Sequence, residues 1–146
     1  MISCFDVAKY FLAHVDEEAG DLISNLKLQK LAYYAQGFHL AIYDTPLFPE
    51  RIEAWTHGPV VVDLYHHYKP HGSGAIPVPG DVDFSIYSDD EKNLLDEVNT
   101  VYGQFSAWKL RNMTHEEPPW LDVKDSAGMI SHKSMQEYFK GLVNEQ

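Results

Sequence analysis

The sequence predicts an all-α fold, a compact single-domain bundle of about five to seven helices with little or no strand. Three observations predict it. Apolar residues recur at three- and four-residue steps in most stretches long enough to form an element. Serines precede these stretches, and proline or glycine clusters end them. The chain has 146 residues, 45% of them apolar, which suits one core and leaves no room for two. The whole of residues 1–146 is therefore read as one domain.

The first helix is outlined by Phe5, Ala8, Phe11, Leu12 and Val15, with Ser3 as its N-cap. The run Asp16-Glu17-Glu18-Ala19-Gly20 ends it, and acidic residues there oppose the helix dipole, so the last turn is expected to fray. The second helix starts from Ser24 or Asn25 and runs through Leu28, Leu31, Ala35, Phe38 and Ile42. Leu26, Tyr33, Tyr34, Leu40 and Ala41 lie outside that stripe, and a helix apolar on most sides belongs at the centre of a bundle. Gly37 lowers its propensity by roughly 1 kcal/mol against Ala, which a close helix crossing at that point would explain.

Thr45-Pro46 and Phe48-Pro49 mark a connection, and Ile52, Ala54 and Trp55 follow as a short extended piece. Gly58-Pro59 reads as the start of a third helix, with Pro59 in its first turn and Val60, Val61, Leu64, Tyr65 and Tyr68 on its apolar face. Pro70 and Gly72 stop it. Residues 70–87 then hold Pro70, Gly72, Gly74, Pro77, Pro79 and Gly80, a loop of unusual length for a compact domain. Ser88 and Glu91 have capping-box spacing and open a helix carrying Leu94, Leu95, Val98, Val101 and Tyr102, which Gly103 closes. A short helix is expected from Ser106 to Met113, with Ala107, Leu110 and Met113 inward, and Pro118-Pro119 forbids its continuation. The last helix starts near Ser131 and carries Met135, Tyr138, Phe139 and Leu142.

Charge narrows the function. Asp and Glu number 22 against 11 Lys and Arg, a net −11, which argues against general binding to nucleic acid. Acidic residues concentrate at 16–21, 89–97 and 116–125, as solvated faces that would also attract a basic protein partner. No stretch approaches the roughly 20 apolar residues that cross a bilayer, and the N-terminus lacks a signal-peptide core. A soluble, cytoplasmic protein without a membrane partner is the expectation. Cys4, the one cysteine, excludes an intramolecular disulfide and a cysteine-only zinc site. There is no Walker loop, no G-x-G-x-x-G and no G-x-S-x-G.

Two constellations carry potential chemistry. In Thr114-His115-Glu116-Glu117-Pro118-Pro119-Trp120, a histidine beside two carboxylates can ligate a metal or act as a base, with His57, His66, His67 and His71 as further ligands. The plainer reading is a helix end whose Thr114, His115 and Glu117 satisfy backbone groups before a Pro-Pro turn. Gln29, Tyr33, Tyr34, Gln36 and His39 form a polar thread through an apolar helix, either lining a ligand pocket or hydrogen-bonding internally. The internal network is favoured, with Trp55 and Trp120 as its lids.

The ordered set of L-Q-K-L-x-Y-Y-A-Q-G-x-H-L from Leu28, E-A-W-x-x-G-P-V from Glu53 and T-H-x-E-x-P-W from Thr114 closely resembles the Panacea, or SocA-like, antitoxin domain family, also known among phage-associated proteins. The resemblance extends from about residue 5 to 140. It implies a mostly helical domain that is not an enzyme, holds no cofactor or metal, and neutralises a cognate protein toxin by direct binding. The alternative it implies is an adaptor that delivers the toxin to a Clp-type protease. A rival from outside the family is a small metal-dependent hydrolase using His57, His115, Glu116 and Glu117. Many members carry an added DNA-binding segment for which this sequence has no residues to spare, so no nucleic-acid partner is expected. The family-motif residues here are Leu28, Gln29, Lys30, Leu31, Tyr34, His39, Trp55, Gly58, Pro59, Val60, Tyr65, Thr114, His115, Glu117, Pro119 and Trp120. They are read as mostly fold-defining, because Gly and Pro fix backbone and Trp fills a core. The toxin-contacting surface is then expected on loop 70–87 and on exposed positions of the helices beside it. His57 stands where the family often has an aromatic residue, and Val62 where it often has Pro. Both departures are expected to change the start of the third helix more than the fold.

Overall fold

A computed structural model of the chain describes residues 1–16 and 21–144. Helix α1, Cys4–Ala13, opens on a complete capping box. The Asp6 N–H donates to Ser3 Oγ at 3.2 Å, and the Ser3 N–H donates to the Asp6 carboxylate at 2.9 Å. The helix ends before Val15, and the expected fraying falls on Glu17 to Gly20, outside the described residues.

Helix α2, Asn25–Tyr43, is capped by Ser24, whose Oγ accepts from the Lys27 N–H. Every residue from Leu28 to Gly37 is buried, because α1, three later helices and the sheet all pack on this helix. It is the centre of the bundle, as its all-round apolar surface predicts. Gly37 faces the Phe139 ring, and a Cβ there would clash with the ring edge. The close crossing expected at Gly37 is thus the contact of α2 with α7, His132–Asn144.

The segment after Trp55 differs from expectation. Gly58–Val61 is a strand, β2, and not the beginning of a helix. It pairs antiparallel with β1, Ile52–Trp55, across a turn at Thr56 and His57, with Ala54 opposite Pro59. Three features explain the error. Gly58 has φ +107°, outside the helical region. Val60 and Val61 are β-branched and fit a pleated surface. Pro59 is tolerated because β2 is an edge strand in a sheet of order β2-β1-β3. Strand β3 is Met129–Ile130, paired with Glu53 and Ile52. Helix α3 starts only at Val62 and runs to Tyr68, continued by a 3₁₀ turn at Lys69–His71.

Residues 70–87 are tied down at several points. The Ile76 N–H donates to Ile23 O at 2.9 Å beside a bridge between Ser24 and Ala75. Phe84–Ile86 form a 3₁₀ turn, and buried Tyr87 donates its OH to Asp6 O at 2.6 Å. Helix α4, Asp89–Tyr102, opens on the Ser88–Glu91 capping box. Helix α5, Ala107–Thr114, is capped by Ser106. Pro118-Pro119 ends α5 and also opens a short helix, α6, Pro118–Leu121, because proline fits the first helical turn. Among the described residues there are seven α-helices and a small three-stranded sheet, a mostly α single domain.

Replacing Gly37 by Ala pushes a methyl group into Phe139, and overpacking of this kind costs typically about 1–3 kcal/mol. The urea midpoint of Gly37→Ala should fall, and combining it with Phe139→Leu should recover part of the loss of the two single variants added together. A double variant that shows simple additivity would place the strain elsewhere.

Candidate functional site

The polar thread of α2 engages successive pieces of the chain. Asn25 Nδ2 donates to Tyr65 O at 3.2 Å, and Gln29 Nε2 donates to Asn25 Oδ1 at 2.8 Å. Gln29 Oε1 accepts the Val61 N–H at 2.9 Å, while Lys30 Nζ donates to Pro59 O at 3.0 Å. Side chains of a helix therefore satisfy backbone groups of β2 that a neighbouring strand would otherwise pair. About two turns further on, Gln36 donates to Phe48 O at 2.8 Å and accepts the Leu47 N–H at 2.7 Å. His39 donates its Nδ1–H to Thr45 O at 2.6 Å. An unsatisfied buried group of this type costs about 1–3 kcal/mol, so each bond fixes a segment that would be unstable without it.

Lys30 has no exposed surface, and burial, aided by the nearby Arg111 charge, takes its ammonium from the ordinary 10.5 down to about 7. It has no carboxylate partner, since the described residues form only the ion pairs Arg51–Glu53 and Lys140–Asp44. Glu117 is its acidic counterpart in a separate place. Tyr33 and Tyr34 donate their hydroxyls to its two oxygens at 2.9 and 2.8 Å, and Tyr34 stacks on Tyr102. Burial pushes the Glu117 carboxyl up to about 7, against the opposing pull of hydrogen bonds from Tyr34, Tyr33 and Tyr138.

The rest of the Thr114–Trp120 segment folds against the hairpin. Thr114 Oγ1 donates to Arg111 O, and the His115 ring stacks on Trp120 at 3.9 Å and 5°. Trp120 Nε1 donates to Trp55 O at 2.8 Å. His115 Nε2 is buried without a hydrogen-bond partner, and burial lowers the pKa of this ring. Glu116 is exposed. His57 sits at the hairpin turn, where its Nδ1 accepts from Arg111 Nε at 3.1 Å. No cluster of three His, Cys, Asp or Glu able to hold a metal forms among the described residues.

Leu28, Leu31 and Pro119 complete the core, and Gly58 lies so close to Thr114 Oγ1 that a Cβ would stand 2.7 Å from it. Other motif residues border a cleft of about 750 Å³ between the start of α2, the hairpin and α3. Gln29, Lys30, Trp55, Val60 and Tyr65 line it, together with Thr56, His57 and Lys69. Loop 70–87 reaches the cleft only through Gly72 and Ser73. Two residues the sequence reading passed over stand beside it: Trp108 is 55% exposed, and the Arg111 guanidinium lies 4.4 Å from its ring centre. Their signal was positional, since Trp108 and Arg111 are three residues apart in a helix and so fall on one face.

A family model described as antitoxin SocA-like, Panacea domain, matches residues 28–121, a span that begins within α2 and runs through the hairpin to the end of α6. No curated protein and no solved structure matches the chain.

The two buried ionisable groups give opposite pH signatures. Between pH 4.5 and about 7 the folded chain retains a proton on Glu117 that the unfolded chain releases. Its contribution to stability is therefore complete below 4.5 and lost as pH rises through 7. Relative to Glu117→Gln, the wild type should lose stability across that window by up to about 1.4 kcal/mol per pH unit, read from urea midpoints. A gap that does not vary with pH would place the Glu117 titration elsewhere. Lys30 behaves in the reverse sense: its contribution is complete above 10.5 and lost as pH falls through 7. The wild type should thus gain on Lys30→Met as pH rises from 7 to 10, and parallel curves would contradict this.

Proposed function

The chain belongs to the SocA-like antitoxin family with its Panacea domain, and on that premise we propose that it neutralises a cognate protein toxin by binding it directly. The family match carries the reading. The geometry supports it in one respect: Gln29, Lys30, Tyr34, Glu117 and Trp120, the chemically most suggestive motif residues, are each engaged in holding the chain to itself. We assign the motif residues chiefly to the fold and the partner contacts to exposed positions. The mechanism is steric, with the antitoxin covering the toxin's working surface or holding it in an inactive shape, and it requires no bond to be made or broken.

A stable complex of this kind buries upwards of roughly 1,200 Å² in total. The acidic outer face of α4, with Asp89, Asp90, Asp96 and Glu97 exposed, would speed the approach of a basic toxin. No helix among the described residues is long and apolar enough to cross a membrane. The site of action is proposed to be the cytoplasm, where a toxin would meet its target.

Co-expression with the product of the adjacent open reading frame should restore growth and yield a complex that survives purification. Absence of both rescue and complex would defeat the proposal. Disappearance of the toxin, reversed by blocking a Clp-type protease, would replace blocking with delivery for degradation.

A further inference from the structure

The cleft at the hairpin departs from the electrostatics of the rest of the chain. Among the described residues no Asp or Glu lines it, whereas Lys69 and His57 do, together with the buried Lys30, whose Nζ is taken up by Pro59 O. Arg111 adjoins it through the hydrogen bond to His57. The chain's other arginine, Arg51, is paired with Glu53 at 2.9 Å, but Arg111 makes no ion pair among the described residues. Its guanidinium rests instead on the exposed Trp108 indole, and the His57 ring lies 5.8 Å from the same indole. His57 thus joins the cleft to a shelf made of Trp108 and Arg111.

These are the residue types that dominate binding energy at protein interfaces. Trp108 exposes a large rigid aromatic surface, and Trp55, Val60 and Tyr65 give the cleft apolar walls. Guanidinium and carboxylate match in planar geometry and charge. A basic segment would meet Arg111 and Lys69 with no carboxylate among the described lining residues, and the nearby Glu53, which accepts from Trp55 Nε1, is already paired with Arg51. A long polyanion such as nucleic acid would be repelled by the net −11 of the chain, whereas a short segment with one or two carboxylates feels chiefly the local field.

We infer that the hairpin cleft and the Trp108–Arg111 shelf form the docking surface for a toxin segment carrying a carboxylate next to an aromatic side chain. The carboxylate pairs with Arg111, and the aromatic ring fills the cleft against Trp55 and Tyr65. The inference rests on the direct-binding reading above and adds the place and the chemistry. It moves the principal contact from loop 70–87 to the hairpin and the exposed face of α5.

The test uses the full chain and two hexapeptides, N-acetylated and C-amidated, one with two phenylalanines and two aspartates, the other with lysines replacing the aspartates. Binding is read by calorimetry and by tryptophan fluorescence. The acidic peptide should bind at least about tenfold tighter than the basic one, and added salt should weaken it. Arg111→Glu should reverse the preference, and Trp108→Ala should weaken both peptides, with helical circular dichroism unchanged in each variant. Equal binding of the two peptides, or indifference of the acidic peptide to both substitutions, overturns the inference. In cells, full neutralisation of the toxin by Arg111→Glu and Trp108→Ala alike would also overturn it while leaving direct binding intact. Failure of the wild type itself to bind or neutralise the toxin counts against the earlier reading instead.

Discussion

From Leu28 to Gly37, α2 has no side that faces water, and everything else in the fold is arranged around what that helix demands. Apolar residues alone would have made it a simple greasy rod. Polar side chains interrupt it at intervals, and each must find a partner or impose a penalty comparable to a sizeable share of a small domain's net stability. Gln29 and Lys30 reach the hairpin, Tyr33 and Tyr34 reach the start of α6, and Gln36 reaches the connection at Leu47 and Phe48. The bonds are directional, so they fix position where apolar packing would allow sliding. Short irregular pieces of chain thereby acquire one location each.

The same logic explains two ionisable groups in the interior. Glu117 accepts from two tyrosine hydroxyls, an arrangement suited to a carboxyl whose charge is not fully solvated. Lys30 lies elsewhere, against the carbonyl of Pro59. Because they do not form a pair, neither offsets the other's loss of hydration, and each is pushed toward its neutral form near pH 7. The fold accepts this because a smaller or apolar side chain at either position would leave backbone or tyrosine groups unsatisfied.

Helical elements were legible because their signals are local. Ser3, Ser24, Ser88 and Ser106 mark true starts, and the wide apolar surface of α2 placed it at the centre. Gly37 was interpretable for the same reason, since a costly residue in a buried helix needs a neighbour that requires the space. The hairpin was misread because Gly-Pro followed by apolar residues fits both a helix start and an edge strand. Only pairing with β1, and the help of Gln29 and Lys30 from α2, decides between them. Pro118-Pro119 was read as a stop when it is both a stop and a start. The surroundings of the cleft were the least legible part. Trp108, Arg111, His57 and Lys69 are spread over three elements, and no spacing rule links them.

Capping of β2 by helix side chains has a consequence for how this molecule can meet others. A sheet edge ordinarily offers a row of free N–H and C=O groups on which a foreign strand can be added. Here one edge is already occupied from within by Gln29 and Lys30, and the opposite edge, β3, is only two residues long. Neither side offers a template for strand addition. This closure leaves side chains, which can discriminate between partners, as the means of recognition at the sheet, and it protects the small hairpin from stacking into fibrils.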